Sequence, residues 1–181
     1  MFASRWGHEN IVRRLCQVTD IQLNNRDNIG WTALYHAVDS NNPACVSVLR
    51  GVAGVDWNVR SNAGLYPLTR AVEFGHAECL QIILSVPEPH LDLTVTDGRG
   101  RNIVQIAVEE NDRAAQKDRC LELLSGDRRV DWNIKNRNSD TPVMFCLKSN
   151  KIEMARCLIN TPGVDLDTVD SEGRYLETIA R

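Results

Sequence analysis

Val55-Asp-Trp-Asn58 returns as Val130-Asp-Trp-Asn133, and weaker copies of the phrase stand at Ile21-Gln-Leu-Asn24, Leu91-Asp-Leu-Thr94 and Val164-Asp-Leu-Asp167. The five copies are spaced by 34, 36, 39 and 34 residues. A small residue follows each at a fixed offset, at Ala37, Ala71, Ala107, Cys146 and Ala180, and Ala3 extends the series by one more step of 34. A period in this range, with apolar residues recurring three and four apart after each turn, marks helix pairs stacked into a solenoid. One such pair is too small to bury its own apolar face and does so against the next.

The segments that end in the small residues are specific. Thr32-Ala-Leu-Tyr-His-Ala37, Tyr66-Pro-Leu-Thr-Arg-Ala71 and Thr141-Pro-Val-Met-Phe-Cys146 resemble the Thr-Pro-Leu-His-x-Ala pattern of the ankyrin repeat, and Asn102-Ile-Val-Gln-Ile-Ala107 keeps its apolar core and final Ala. The resemblance covers essentially the whole chain. It implies an all-α ankyrin-repeat solenoid of stacked helix-turn-helix units with hairpin-like turns, a single domain over 1–181. Full repeats are expected at 27–60, 61–96, 97–135 and 136–169, with partial repeats at 1–26 and 170–181. Ala3 falls inside a first helix and Ile179-Ala180-Arg181 precedes any second one, so the sequence reads as a trimmed piece whose ends lack the polar caps a solenoid needs.

Physical chemistry supports the pattern position by position. Thr or Asn opening the first helix can accept from unpaired amides, Pro67 and Pro142 sit where a missing donor costs nothing, and Leu34, Leu68, Val104 and Val143 face inward. Four residues past each small residue, where the chain must reverse, stand Gly7, Asn41, Gly75, Asn111 and Asn150, the residue types that best tolerate a left-handed backbone. Gly30, Gly64, Gly100 and Gly173 mark the tight turn before each first helix, with Ser139 the departure. Second helices are predicted at Pro43 to about Gly51, Ala77 to Val86, Asp118 to Ser125 and Lys151 to Asn160. The two long repeats carry Pro87-Glu-Pro89 and Arg113-Ala-Ala-Gln-Lys117 as loop insertions.

Composition bounds the partners. The chain is 43% apolar and 25% charged with a net charge of −3, which fits a folded chain and lacks the basic excess that neutralises nucleic-acid phosphates. No apolar run approaches a membrane span, and Arg5, Glu9, Arg13, Arg14 and Asp20 occupy the region where a secretory signal would be apolar. Six cysteines without C-x-x-C spacing, and no Asn-x-Ser/Thr sequon, point to reduced thiols and a cytoplasmic or nuclear location.

Residues that could carry chemistry have packing explanations. Cys45, Cys79 and Cys120 share one slot of the second helix, so they stack on successive layers and do not gather as metal ligands. His8 and His76 follow the turn glycine, where the ankyrin pattern commonly has His. Trp57 and Trp132 take the slot of Leu23, Leu93 and Leu166 and belong at the base of the turn. Glu109-Glu110 reads as a solvated face. Asn58 and Asn133 read as turn asparagines bonding their own backbone; they also resemble the asparagine that some ankyrin repeats offer to an asparaginyl hydroxylase. No nucleophile elbow, phosphate-binding loop, zinc-protease motif or dinucleotide fingerprint occurs, so neither enzyme activity nor a cofactor is expected.

The functional expectation is a non-catalytic protein-binding scaffold, monomeric as an isolated domain, that holds a protein partner in its concave groove. The alternative is a targeting or regulatory module of a larger enzyme or channel. Alignment of the repeats puts Arg26, Arg60, Thr96 and Lys135 in one row at the turns, and Asp39, Glu73, Glu109 and Lys148 in another along the first helices. A partner between them would meet opposite fields. Arg101 adds charge to the groove, and Trp31, Leu65 and Phe74 fall at positions the pattern leaves variable, as candidate apolar anchors.

Overall fold

The computed structural model describes residues 1–109, 114–136 and 138–176, and ten helices lie among them. They come in five pairs: α1 (Phe2–Arg5) with α2 (Glu9–Leu15), α3 (Ala33–Asp39) with α4 (Pro43–Arg50), α5 (Pro67–Phe74) with α6 (Ala77–Leu84), α7 (Ile103–Val108) with α8 (Ala114–Ser125), and α9 (Pro142–Lys148) with α10 (Ile152–Ile159). First helices contact first helices in series, and second helices contact second helices, which makes two helical layers. The core runs unbroken between them. Leu34, Ala37 and Val38 pack on Leu68, Ala71 and Val72, then on Val104 and Ala107, then on Val143 and Cys146, while Val46, Leu80, Leu121 and Ala155 line the other layer. Strand structure among the described residues is limited to two isolated bridges, Thr96 with Asn102 and Val169 with Tyr175.

Each turn before a first helix is built the same way. The main-chain N–H of Asp27, Ser61, Asp97, Asn136 and Asp170 donates to the carbonyl four residues on, at 2.8–3.1 Å. The same five side chains accept in return: Asp27 Oδ1 from Trp31 N–H at 2.8 Å, Ser61 Oγ from Leu65 N–H at 3.0 Å, and Asp97, Asn136 and Asp170 each from two amides. The loop closes only if its fourth residue is left-handed. Gly30, Gly64, Gly100 and Gly173 have φ of 74–80°, and Ser139, expected as the exception, adopts 63° all the same.

First helices end in a second left-handed residue, at Gly7, Asn41, Gly75 and Asn150, with φ of 51–71°. The next amide then folds back onto the carbonyl of the small residue, at Ala3, Ala37, Ala71 and Cys146, at 2.8–2.9 Å, and so satisfies an orphan of the helix end. Pro67 and Pro142 open α5 and α9; Thr32 Oγ1 and Asn102 Oδ1 cap α3 and α7, Thr69 supplies the bond at Tyr66, and Thr141 makes no side-chain cap. Asn111 lies outside the described residues. At that helix end Lys117 does the capping: its buried Nζ donates to the carbonyls of Ile106 and Glu109 at 2.8 and 3.0 Å, and burial lowers its pKa. The expected loop insertion is thereby corrected. Ala114 to Lys117 are helical and lengthen α8 to 12 residues, because a helical turn satisfies its own amides and carries Lys117 over the end of α7.

Side chains tie successive pairs together. Asn24, Asn58 and Asn133 each accept from the amide of an aspartate one repeat on, at Asp56, Asp92 and Asp165, and donate to the carbonyls of Gly54, His90 and Gly163, all at 2.7–3.0 Å. These asparagines bridge repeats and do not serve their own turn, as had been expected of Asn58 and Asn133. Thr94 breaks the series, and Arg129 bonds back to Leu84 and Val86 carbonyls at 2.7 and 2.9 Å. On the far side, Asn42 reaches the carbonyls of Ser4 and Arg5, His76 Nδ1 that of Val38 at 2.8 Å, and Lys151 that of Val108. A carbonyl only accepts, so Nδ1 of His76 carries the proton.

Cys45, Cys79, Cys120 and Cys146 are fully buried, and burial pushes the Cys79 thiol up to about 12 and that of Cys120 to about 11. Maleimide labelling at neutral pH is therefore expected to reach these four only as fast as the protein unfolds, after Cys16 and Cys157, which are partly exposed. Fast native-state labelling of Cys79 would contradict this packing.

The turn acids predict a pH effect. Burial acts to raise the Asp97 pKa, but the amides of Arg101 and Arg99 and the Arg101 guanidinium at 2.7 Å bring it below the ordinary value. Its contribution is thus complete above the unfolded-state value and lost as pH falls through the folded one. Asp97→Asn keeps the amide acceptor and removes the ion pair, so it should cost about 2 kcal/mol at pH 7. In unfolding curves the gap to the parent protein should close as pH drops below about 4. A gap that stayed constant down to pH 2 would show that the pair contributes nothing.

Candidate functional site

The exposed side of the first-helix layer and the row of turns form one face, and its geometry follows from the turn architecture. The residue immediately after each left-handed turn residue starts the approach to the first helix. In chain order this slot holds Trp31, Leu65, Arg101, Asp140 and Arg174. Trp31 and Leu65 are half-buried; Trp31 lies 4.5 Å from the ring of Tyr35 and 5.1 Å from that of His36. The face therefore passes from apolar to charged along the stack.

Beside that slot the row of first-helix charges is laced together. Arg70, on α5, donates to Asp39 of α3 at 2.6 Å and to Glu73 at 3.3 Å, and its guanidinium lies 3.8 Å above the Phe74 ring. Arg101 pairs with Asp97 at 2.5 Å, with Glu73 at 3.7 Å and with Glu109. Further along, Lys148 bridges Asp140 and Asp170 at 2.5 and 2.8 Å, and Lys148 and Arg174 hold the Asp170 carboxyl well below the usual range. Asp39, Glu73, Asp97 and Glu109 thus meet Arg70 and Arg101 in one connected network. Glu109 is a paired group whose carbonyl also holds Lys117, where solvated carboxylates had been expected; Glu110 lies outside the described residues.

At the turns the basic row acts as struts. Arg26 donates to the Arg60 carbonyl at 2.9 Å and to Asn62 Oδ1 at 3.0 Å, and Lys135 donates to the Val169 carbonyl at 3.2 Å. Both reach the counterpart position exactly one 34-residue step on. Arg60 is exposed and lies along Gly64. Trp57 and Trp132 are buried below the turns, as their shared slot with leucines implies.

Sequence reasoning singled out Arg26, Trp31, Asp39, Arg60, Leu65, Glu73, Phe74, Arg101, Glu109, Lys135 and Lys148. The structure brings Asp39, Glu73, Phe74, Arg101 and Glu109 into one connected cluster and sets Lys148 in a second. Arg70, Asp97, Asp140 and Asp170 were missed. For Asp97 and Asp170 the signal was present in register: Asp27, Ser61, Asp97, Asn136 and Asp170 all stand three residues before the turn residue. Among the described residues no group of three or more His, Cys, Asp or Glu is arranged to hold a metal ion, and no helix is long and apolar enough to cross a membrane.

Comparison with known proteins agrees with this architecture. The family model described as ankyrin repeats (3 copies) matches residues 1–61. Human Rabankyrin-5 is 24% identical over 157 residues, 87% of this chain and 13% of that protein. The SMC5-SMC6 complex localization factor protein 1 of mouse is 38% identical over 82 residues, 45% of this chain and 8% of its own length. The chain thus spans a small part of these relatives. Among solved structures, the ankyrin repeat domain of Bcl-3 superposes with a TM-score of 0.83 at 22% identity, covering 99% of this chain and 77% of that one. EF0377, an ankyrin repeat protein, gives 0.78 at 24% identity over 96% and 85% of the two chains. The helix pairs, the paired left-handed turns, the family match over the first 61 residues and the superpositions agree that the chain has the ankyrin repeat fold.

Proposed function

We propose that this chain is a non-catalytic binding module that holds a segment of a protein partner along the face formed by the turns and the first helices, with 27–60, 61–96, 97–135 and 136–169 as its working repeats. Ankyrin repeats are in general protein–protein interaction modules. The observation that carries the reading here is the ion-pair ladder from Asp39 through Arg70, Glu73 and Arg101 to Glu109. It fixes long side chains before any partner arrives, so binding does not incur the full cost of ordering them. Phe74, clamped under Arg70, and Trp31, stacked on Tyr35, offer half-buried aromatic surface at fixed positions. Desolvated aromatics commonly carry most of an interface's energy, while charges at the rim steer approach.

A targeting or regulatory role within a larger protein is the second reading. It is favoured by the small share of the relatives' lengths that the chain spans. One of those relatives is named for localizing a protein complex, and holding one protein against another is the same kind of work.

The test is recovery of a partner followed by affinity measurements on variants. Trp31→Ala and Phe74→Ala should each weaken binding by about 1–3 kcal/mol. Arg156→Ala on exposed α10 should leave it unchanged, with circular dichroism confirming that all three remain folded. A large loss from Arg156→Ala with none from the other two would move binding to the second-helix layer.

A further inference from the structure

The first two turns, at 27–30 and 61–64, lie directly against each other: Asn62 N–H donates to the Ile29 carbonyl at 3.1 Å, and Arg26 donates to that of Arg60 at 2.9 Å. Trp31 and Leu65, the residues that follow these turns, therefore stand side by side, one repeat apart. Both are half-buried, Ile29 of the first turn is 51% exposed, and packed helices put such successive positions about 8–10 Å apart. Two guanidinium groups border this apolar pair. A Cβ on Gly30 would meet Arg26 Nη2 at 2.6 Å, and one on Gly64 would meet Arg60 Nη2 at 2.9 Å, so each arginine lies over the left-handed residue of its own turn.

Donors at these turns lack protein acceptors. Arg26 reaches only uncharged ones, the Gly30 and Arg60 carbonyls and Asn62 Oδ1. Exposed Arg60 has no hydrogen-bond or ion-pair partner among the described residues. The neighbouring acid does not answer it: Asp27 Oδ1 accepts from the Ile29 and Trp31 amides, and Oδ2 lies 2.8 Å from His36 Nε2. The indole N–H of Trp31 also has no acceptor among the described residues, yet it is not one of the buried unpartnered atoms, which at this turn are Tyr35 Oη and His36 Nδ1. Solvent reaches it, and so can a ligand. Tyr35 and His36, at 4.5 and 5.1 Å, hold the ring itself in place.

We propose that the first two turns receive a proline-rich segment of the partner in the polyproline II conformation, with apolar side chains three residues apart on Trp31 and Leu65 and an acidic side chain against Arg60. Three residues per turn, each rising about 3.1 Å, return the same face about every 9 Å, which matches the step between the two slots. A strand turns alternate side chains away, and its same-face steps of about 7 and 13 Å miss that spacing. An α-helix reaches it with residues seven apart, but its carbonyls are spent on its own N–H groups and leave the Trp31 and Arg60 donors unmet. Polyproline II makes no internal hydrogen bonds, so its carbonyls are free to accept from both. Two guanidinium groups without a carboxylate partner then select the acid. The assignment rests on the groove reading above and adds the chemistry of the segment.

The test is selection of random dodecapeptides displayed on phage against the folded chain, followed by synthesis of the strongest binder. Binders should be rich in proline, with apolar residues three apart and an acid in the same stretch, and circular dichroism should show no gain of helix on binding. Inserting one alanine between the two apolar residues, or replacing the acid by its amide, should each weaken binding about tenfold or more. Trp31→Phe keeps a ring and removes the donor, so affinity should fall about three- to tenfold at an unchanged unfolding midpoint. Arg60→Gln should lose about tenfold, again at an unchanged midpoint, since Arg60 bonds to no described residue. Binders that lack the three-residue spacing, or that turn helical on binding, yet are lost with Trp31→Ala and Phe74→Ala would overturn this assignment and leave the groove reading standing. Binders indifferent to Trp31→Ala, Phe74→Ala and Arg60→Gln alike would overturn both. A library without binders would overturn the assignment too. So would self-association in sedimentation that Trp31→Ala abolishes, which would give these turns to a second copy of the chain.

Discussion

Stacking pairs of short helices requires the chain to reverse within a few residues, twice in every repeat, without stranding backbone groups. Among the described residues both reversals carry a residue with positive φ. At the first, a left-handed Gly or Ser139 closes a loop whose opening side chain caps the amides inside it. At the second, Gly7, Asn41, Gly75 and Asn150 return the chain onto the carbonyl of the small residue. Because the loops share one geometry, their carbonyls and amides recur about every 34 residues, where Asn24, Asn58 and Asn133 can bind them. Register between repeats is thus held by side chains that read the backbone of the next turn.

The same regularity explains the face. A turn of fixed shape presents its fifth residue at a fixed place, so Trp31, Leu65, Arg101, Asp140 and Arg174 form a line. Exchanging apolar for charged residues in that slot changes the character of the face and leaves the fold untouched. Where charges enter, partners follow: Arg101 meets Asp97, Glu73 and Glu109, and Arg174 meets Asp170. Exposed pairs contribute little to stability, but Asp97 and Asp170 are buried and accept from backbone amides as well. In these two, ion pair and turn closure are one interaction.

Features governed by local backbone chemistry were legible in the sequence: the left-handed positions, the prolines opening α5 and α9, the inward cysteines and the tryptophans under the turns. Features that depend on the reach of long side chains were not. Nothing in Arg113-Ala-Ala-Gln-Lys117 reveals that Lys117 caps α7, since that follows from where an added helical turn points. Arg70 resembles any exposed helical arginine until α3 and α7 flank it. The acidic row at Asp39, Glu73 and Glu109 was legible as a row, but not that two arginines already occupy it. Asn58 was legible as a turn residue, and its partner became visible only once the turn 34 residues on was placed beside it.

Amide hydrogen exchange of the uncomplexed protein, resolved residue by residue by NMR, tests most directly whether the turns are preformed by their side-chain acceptors. The amides of Trp31, Arg99, Arg101 and Arg174, and those of Asp56, Asp92 and Asp165 bound by asparagines from the preceding repeat, are predicted to be protected to an extent comparable with the interior amides of α5. Exchange of these amides at the rate of an open loop, with protection confined to the helices, would contradict the account.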